Sequence, residues 1–161
     1  MVMKNKQGFT MLELVFILVI LGILAAIAIP KISASRDDAK LVAFKSDVST
    51  LTSSFPAHFL AQGQGNFSTA VALNTANWVL EEYVINTRLK GDNNSSCITA
   101  KLLRDDNGTQ AVAPQEVKFL QISTATAPSQ SGNLCQKLVF ELNLSPNSPI
   151  SIALLSNSIV F

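Results

Sequence analysis

The chain has 161 residues, of which 48% are hydrophobic and only 14% charged, with 12 Lys and Arg against 11 Asp and Glu. That length suits one domain plus one additional element. The formal net charge of +1 leaves no basic excess to neutralise a nucleic-acid backbone along the molecule, so general nucleic-acid binding is disfavoured.

Met1 to Gly8 is polar and carries Lys4 and Lys6, whereas Phe9 to Ile29 is apolar except for Thr10, Glu13 and Gly22. As a helix this run spans about 31 Å, the thickness of a bilayer hydrocarbon core. The two lysines precede it with no acid beside them, so the positive-inside bias keeps the N-terminus cytoplasmic and sends everything after Pro30 outward. A secretory signal peptide cut near Ala26-Ile27-Ala28 is one alternative, but the run is longer than a usual apolar signal region and holds a carboxylate. A plain signal anchor explains the length and leaves Glu13 without a purpose. A buried helix of a soluble protein fails because the run has no polar face.

Glu13 is the informative residue. An acid near the centre of a membrane helix costs about 2.5–3.5 kcal/mol, less near its end, so it marks function by default. If a leader ends at Gly8, the new α-amino group of Phe9 stands four residues ahead of Glu13, on one helix face. Carboxylate and ammonium then offset each other's burial, within a subunit or between an incoming subunit and its neighbour, and the pairing sets the axial register of packed helices.

A short basic leader ending in Gly8, then Phe9-Thr10-x-x-Glu13, then an apolar helix reaching Ile29-Pro30, resembles the type IV pilin and type II secretion pseudopilin superfamily. The match is specific from Lys6 to about Pro30 and weak beyond it. The resemblance implies cleavage between Gly8 and Phe9 by a prepilin peptidase and N-methylation of Phe9. It further implies extraction from the bacterial inner membrane, by an assembly platform with a cytoplasmic ATPase, into a helical filament of like subunits and related minor pilins. Gly8 also has a physical rationale, since a cleft that grips backbone closely favours a residue without Cβ.

Pro30 lacks a helical N–H donor and is expected to kink the helix where the membrane run ends. Beyond it Leu41, Phe44, Val48, Leu51, Phe55 and Phe59 fall at threes and fours, one apolar face of an amphipathic helix. A single bent helix from Phe9 to about Ala61 is expected, with Pro56 marking an earlier stop near Phe55 as the alternative. Gln62-Gly63-Gln64-Gly65-Asn66 reads as a loop and Asn77 to Ile85 as a short helix with Trp78 in the core. Strand-like runs follow at Cys97 to Leu103, Val117 to Ile122, Lys137 to Leu144 and Ser151 to Phe161. The expected fold is α+β: a leader (1–8), a membrane and polymerisation helix (9–29), its amphipathic half (30–61), and a globular periplasmic head (62–161) built on an antiparallel sheet of about four strands packed against the helix.

Cys97 and Cys135 are the only cysteines, and the outward orientation places both in an oxidising compartment, where a disulfide is the simplest reading and two free thiols the alternative. Catalysis finds little support, because His58 is the sole histidine and has no partner nearby in sequence to share a metal. Asp105-Asp106-Asn107-Gly108 reads as a turn. It lacks the alternating oxygen ligands of a calcium loop, although major pseudopilins in the resembling family hold calcium in a late head loop. Asn-x-Ser/Thr triplets such as those at Asn66, Asn94 and Asn107 arise readily by chance in polar loops. Three functions compete: a pseudopilin of type II secretion or a related uptake machine, a true or minor pilin acting in adhesion, motility or DNA capture, and a signal-anchored periplasmic enzyme.

Overall fold

A computed structural model describes residues 10–154, with the side chains of residues 29–34 outside the described set. The chain divides into two compact units, the first ending at Ala39 and the second beginning at Lys40. One helix, α1 (Met11–Gln62), supplies nearly all of the first and the opening of the second. It does not stop at Pro56. A proline inside a helix costs about 3 kcal/mol or more through the lost N–H and the ring's clash with the preceding turn, and burial of Phe55 and Phe59 on either side offsets it. The Gly63 N–H donates to the Phe59 carbonyl (2.7 Å) and closes the last turn.

In the second unit α1 is followed by α2 (Phe67–Ala70), β1 (Trp78–Leu80), β2 (Val84–Thr87), β3 (Thr99–Leu103), β4 (Phe119–Ser123), α3 (Leu134–Glu141) and β5 (Ile150–Ala153). The five strands form one sheet in the order β1-β2-β3-β4-β5, every neighbour antiparallel. Ala100 faces Ile122 and Leu102 faces Leu120 across β3 and β4, and Ile85 faces Ala100 across β2 and β3. Alternation along each strand gathers these residues on one face of the sheet. The core unites that face with Phe44, Val48, Leu51, Phe55 and Phe59 of α1, the row expected from the spacing, and with Leu138 and Val139 of α3. This is the α+β, pilin-like arrangement of a long helix and a small antiparallel sheet.

Two expected elements change type. Asn77 to Ile85 is not a helix but the hairpin of β1 and β2, with Trp78 opposite Thr87 and Leu80 opposite Ile85. Trp78, Val79, Tyr83, Val84 and Ile85 are aromatic or β-branched, and Trp78 and Leu80 fit a period of two, whereas Leu80 and Val84, four apart, fit a helix face. Trp78 is fully buried, as expected. Lys137 to Leu144 is not a strand, since most of it belongs to α3. Cys135 and Val139, four apart, share the buried face with Leu138, and Asn133 and Gln136 cap the start by reciprocal bonds of 3.0 Å. The last strand is confined to Ile150–Ala153, and the expected extension to Phe161 lies outside the described residues.

Candidate assembly site

Within the first unit, Met11–Ala28 presents an apolar surface broken only by Glu13. Met11–Ala28 is long and apolar enough to cross a membrane, and none of it is buried within the protein. Leu14, Val15, Phe16, Leu18, Ile23 and Ile27 are all exposed, so the helix is apolar around its whole circumference. A helix of this kind is stable only when lipid or other helices cover it.

Glu13 is the one ionisable side chain in that stretch. Its Oε2 accepts from both the backbone N–H and the hydroxyl of Thr10, each at 3.0 Å, while the Glu13 N–H donates to Thr10 Oγ1 at 3.3 Å. This is a reciprocal capping box, Thr-x-x-Glu, and it satisfies donors at the helix start that an apolar environment would otherwise leave bare. An apolar run around Glu13 points to an ion-pair partner alone; the Thr10-to-Glu13 spacing is the sequence signal of the cap. Oε2 carries the local bonds, and Oε1 has no hydrogen-bond partner among the described residues. Gly8 and Phe9 lie outside the described residues, while α1 runs on through Pro30, where the helix does not end.

In the second unit, Cys97 and Cys135 are joined by a disulfide with their Cα atoms 5.6 Å apart. It ties the chain just ahead of β3 to the first turn of α3. Gly91 lies against it, and a Cβ there would collide with Thr126 Oγ1 and press on Cys135 Sγ at 3.2 Å, so the crossing admits only glycine. Thr124 donates to the Cys97 carbonyl at 2.7 Å and Asp92 N–H donates to Thr126 Oγ1 at 3.1 Å, fixing the same junction.

Two contacts that the sequence did not disclose hold α1 to the rest of this unit. The buried Trp78 indole donates to Asp47 Oδ2 at 2.7 Å. Its ring meets Phe44 edge-on with centroids 5.9 Å apart. Lys45 pairs with Glu141 of α3 at 2.7 Å, on the surface where such pairs contribute little. Sequence spacing gives no warning of either, because the partners stand 31 and 96 positions apart.

His58 is half-buried, and its enclosed Nδ1 has no hydrogen-bond partner among the described residues. It borders a shallow hollow with Gln62, Gly65 and Thr69. Asp105 to Gly108 form a turn, as expected, with Asp105 Oδ1 accepting from the Thr109 N–H at 2.9 Å. Bonds from the Thr109 hydroxyl and amide lower the Asp105 carboxyl below its ordinary range. Among the described residues no three His, Cys, Asp or Glu side chains gather at one point.

Comparison with known proteins agrees with the N-terminal resemblance. Residues 3–29 match the family described as the prokaryotic N-terminal methylation motif. The chain is 33% identical over 57 residues to the type II secretion system core protein G of Pseudomonas aeruginosa. That stretch is 35% of this chain, and it spans only 40% of the relative's length. No solved structure matches the chain.

Proposed function

We propose that this chain, which carries the prokaryotic N-terminal methylation motif, is a structural subunit of a filament assembled at the bacterial inner membrane, of the pseudopilin class that serves type II secretion, and not an enzyme. The observation that carries the reading is Glu13: one carboxylate in the otherwise apolar, wholly uncovered stretch Met11–Ala28, with one oxygen bound by Thr10 and the other without a partner among the described residues. An acid so placed is costly in lipid unless a cation meets it. In this reading the leader is cut between Gly8 and Phe9, Phe9 is N-methylated, and its amine is the cation that Glu13 receives.

The same helix then does two things in turn. In the membrane it anchors the subunit, N-terminus cytoplasmic and head periplasmic, and in the filament it packs against the helices of other copies that replace the lipid. The Glu13 pairing makes the second state depend on register, since only one axial offset brings an amine to each carboxylate. The resemblance to protein G over a third of the chain supports the secretion class over other filaments. The prepilin peptidase, the assembly platform and its ATPase are the partners that this reading requires.

The test is a Glu13→Leu variant expressed with the cognate machinery. Processing and membrane insertion should be retained while filaments, counted by electron microscopy of sheared material, are lost. Wild-type filament yield from that variant would remove the register role.

A further inference from the structure

We infer that Asn107-Gly108 is a site of spontaneous covalent modification, where the turn converts Asn107 to aspartate and isoaspartate through a cyclic imide. The inference is independent of the filament reading. The sequence holds a single Asn-Gly pair, and it lies in the exposed loop between β3 and β4. Three observations bear on its chemistry.

The first is access to the nucleophile. The bonds that close this loop run from the Arg104 N–H to the Thr109 carbonyl (3.0 Å) and from the Thr109 N–H to Asp105 Oδ1 (2.9 Å). Neither uses the Gly108 N–H, so no bond of the closure must break before that nitrogen can react. The second is space. Nothing lies within 4 Å of where a Gly108 Cβ would stand, and a residue without Cβ offers no hindrance to the side chain that folds onto its nitrogen. The third is backbone freedom. Gly108 has φ +88°, a conformation open to glycine at little cost, so no side chain restricts the chain leaving the reacting nitrogen while rotation about the Asn107 ψ and χ1 bonds brings its carboxamide onto it. The asparagines at positive φ, at 93, 94 and 143, precede Asn, Ser and Leu, whose side chains crowd the same approach.

The reaction balances with water alone. The Gly108 nitrogen gives up its proton and bonds to the Asn107 side-chain carbonyl carbon, the carbon–Nδ2 bond breaks, and ammonia departs with the proton. Water then opens the imide. Cleavage of the side-chain carbonyl–nitrogen bond leaves aspartate, and cleavage of the main-chain bond leaves isoaspartate, with the chain rerouted through one added methylene. No oxidant or reductant is involved. Either product places a third carboxylate directly after Asp105 and Asp106, where like charges oppose the carboxylate that holds Thr109.

The experiment is incubation of the full chain in detergent at mildly alkaline pH, followed by peptide mapping and labelling of isoaspartate with an isoaspartyl methyltransferase. Label and the matching loss of ammonia are expected at residue 107 ahead of every other asparagine, and should disappear in Asn107→Gln, whose longer side chain forms the imide ring far more slowly. The same chain unfolded in urea separates fold from sequence. If residue 107 stays intact in the folded chain while it converts in the unfolded one, the turn protects it and the inference is overturned. Conversion in the folded chain at a rate matching or exceeding the unfolded rate supports it.

Discussion

Thr10 and Glu13 bind each other twice over at the start of α1: the Glu13 carboxylate takes the Thr10 N–H and hydroxyl, and the Thr10 oxygen takes the Glu13 N–H. Placed at the head of an apolar helix, the pair closes off polar groups that lipid cannot solvate, and it orients the carboxylate before any neighbour arrives. Thr10→Val keeps the volume and removes the hydroxyl. It should retain cleavage of the leader but reduce filament yield, because the carboxylate then loses one of its two local donors and its fixed direction. Filament counts alongside the processed fraction would check this, and unchanged yield would show that the cap has no part in assembly.

Cleavage should depend on residue 8. Gly8→Leu should leave the leader attached, read as a heavier band in the membrane fraction and a mass that includes Met1 to residue 8. A mature chain beginning at Phe9 in that variant would show that a bulky side chain is tolerated at the cut.

The Cys97–Cys135 bridge closes a loop of sequence separation 38. In the chain-entropy account, opening it should cost about 4 kcal/mol. Cys97→Ser with Cys135→Ser should therefore shift the denaturant midpoint strongly downward, and added reductant should reproduce the shift in the wild type and do nothing further to the double variant.

Asp47→Leu should strand the Trp78 indole N–H inside the core. A buried donor left without its acceptor costs about 1–3 kcal/mol. Trp78 is the only tryptophan, so its fluorescence reports the environment and the unfolding midpoint together. Trp78→Phe, which removes the donor as well, should restore part of the loss when combined with Asp47→Leu, measured by circular dichroism.

The Asp105 turn should respond to acid. Its carboxyl is held below the ordinary range by Thr109, so the folded turn prefers the ionised form. That contribution is complete above the ordinary carboxylate pKa and is lost as pH falls through the lowered folded value. The Thr109 amide signal should move with that transition in an NMR titration, and Asp105→Asn should abolish the movement.

Much of this fold was legible because hydrophobic spacing is a strong signal over long segments. The row from Phe44 to Phe59 and the uninterrupted run from Met11 to Ala28 each span many turns, and no other element accommodates them. Short segments misled where two periods coincide. Leu80 and Val84 fit a helix face while Trp78 and Leu80 fit a strand, and pairing of Trp78 with Thr87 and of Leu80 with Ile85 across the hairpin decides between them. At α3 the run Leu138-Val139-Phe140 looked extended, yet the cap at Asn133 and the burial of Cys135 fix the period as helical. The disulfide was legible from compartment reasoning. The Asp47–Trp78 bond was not, since long-range partners follow from packing and not from local pattern. At the candidate site, Glu13 is legible because an acid in an apolar run has no bland explanation, and Thr10 is legible as part of the motif but not as the partner that caps the helix through Glu13.

The most direct test of the whole account is intact mass and N-terminal peptide mapping of the protein purified from its native membranes. A chain that begins at Phe9 and carries one added methyl group is the predicted result. A chain that begins at Met1, or one cut near Ile29, would contradict it.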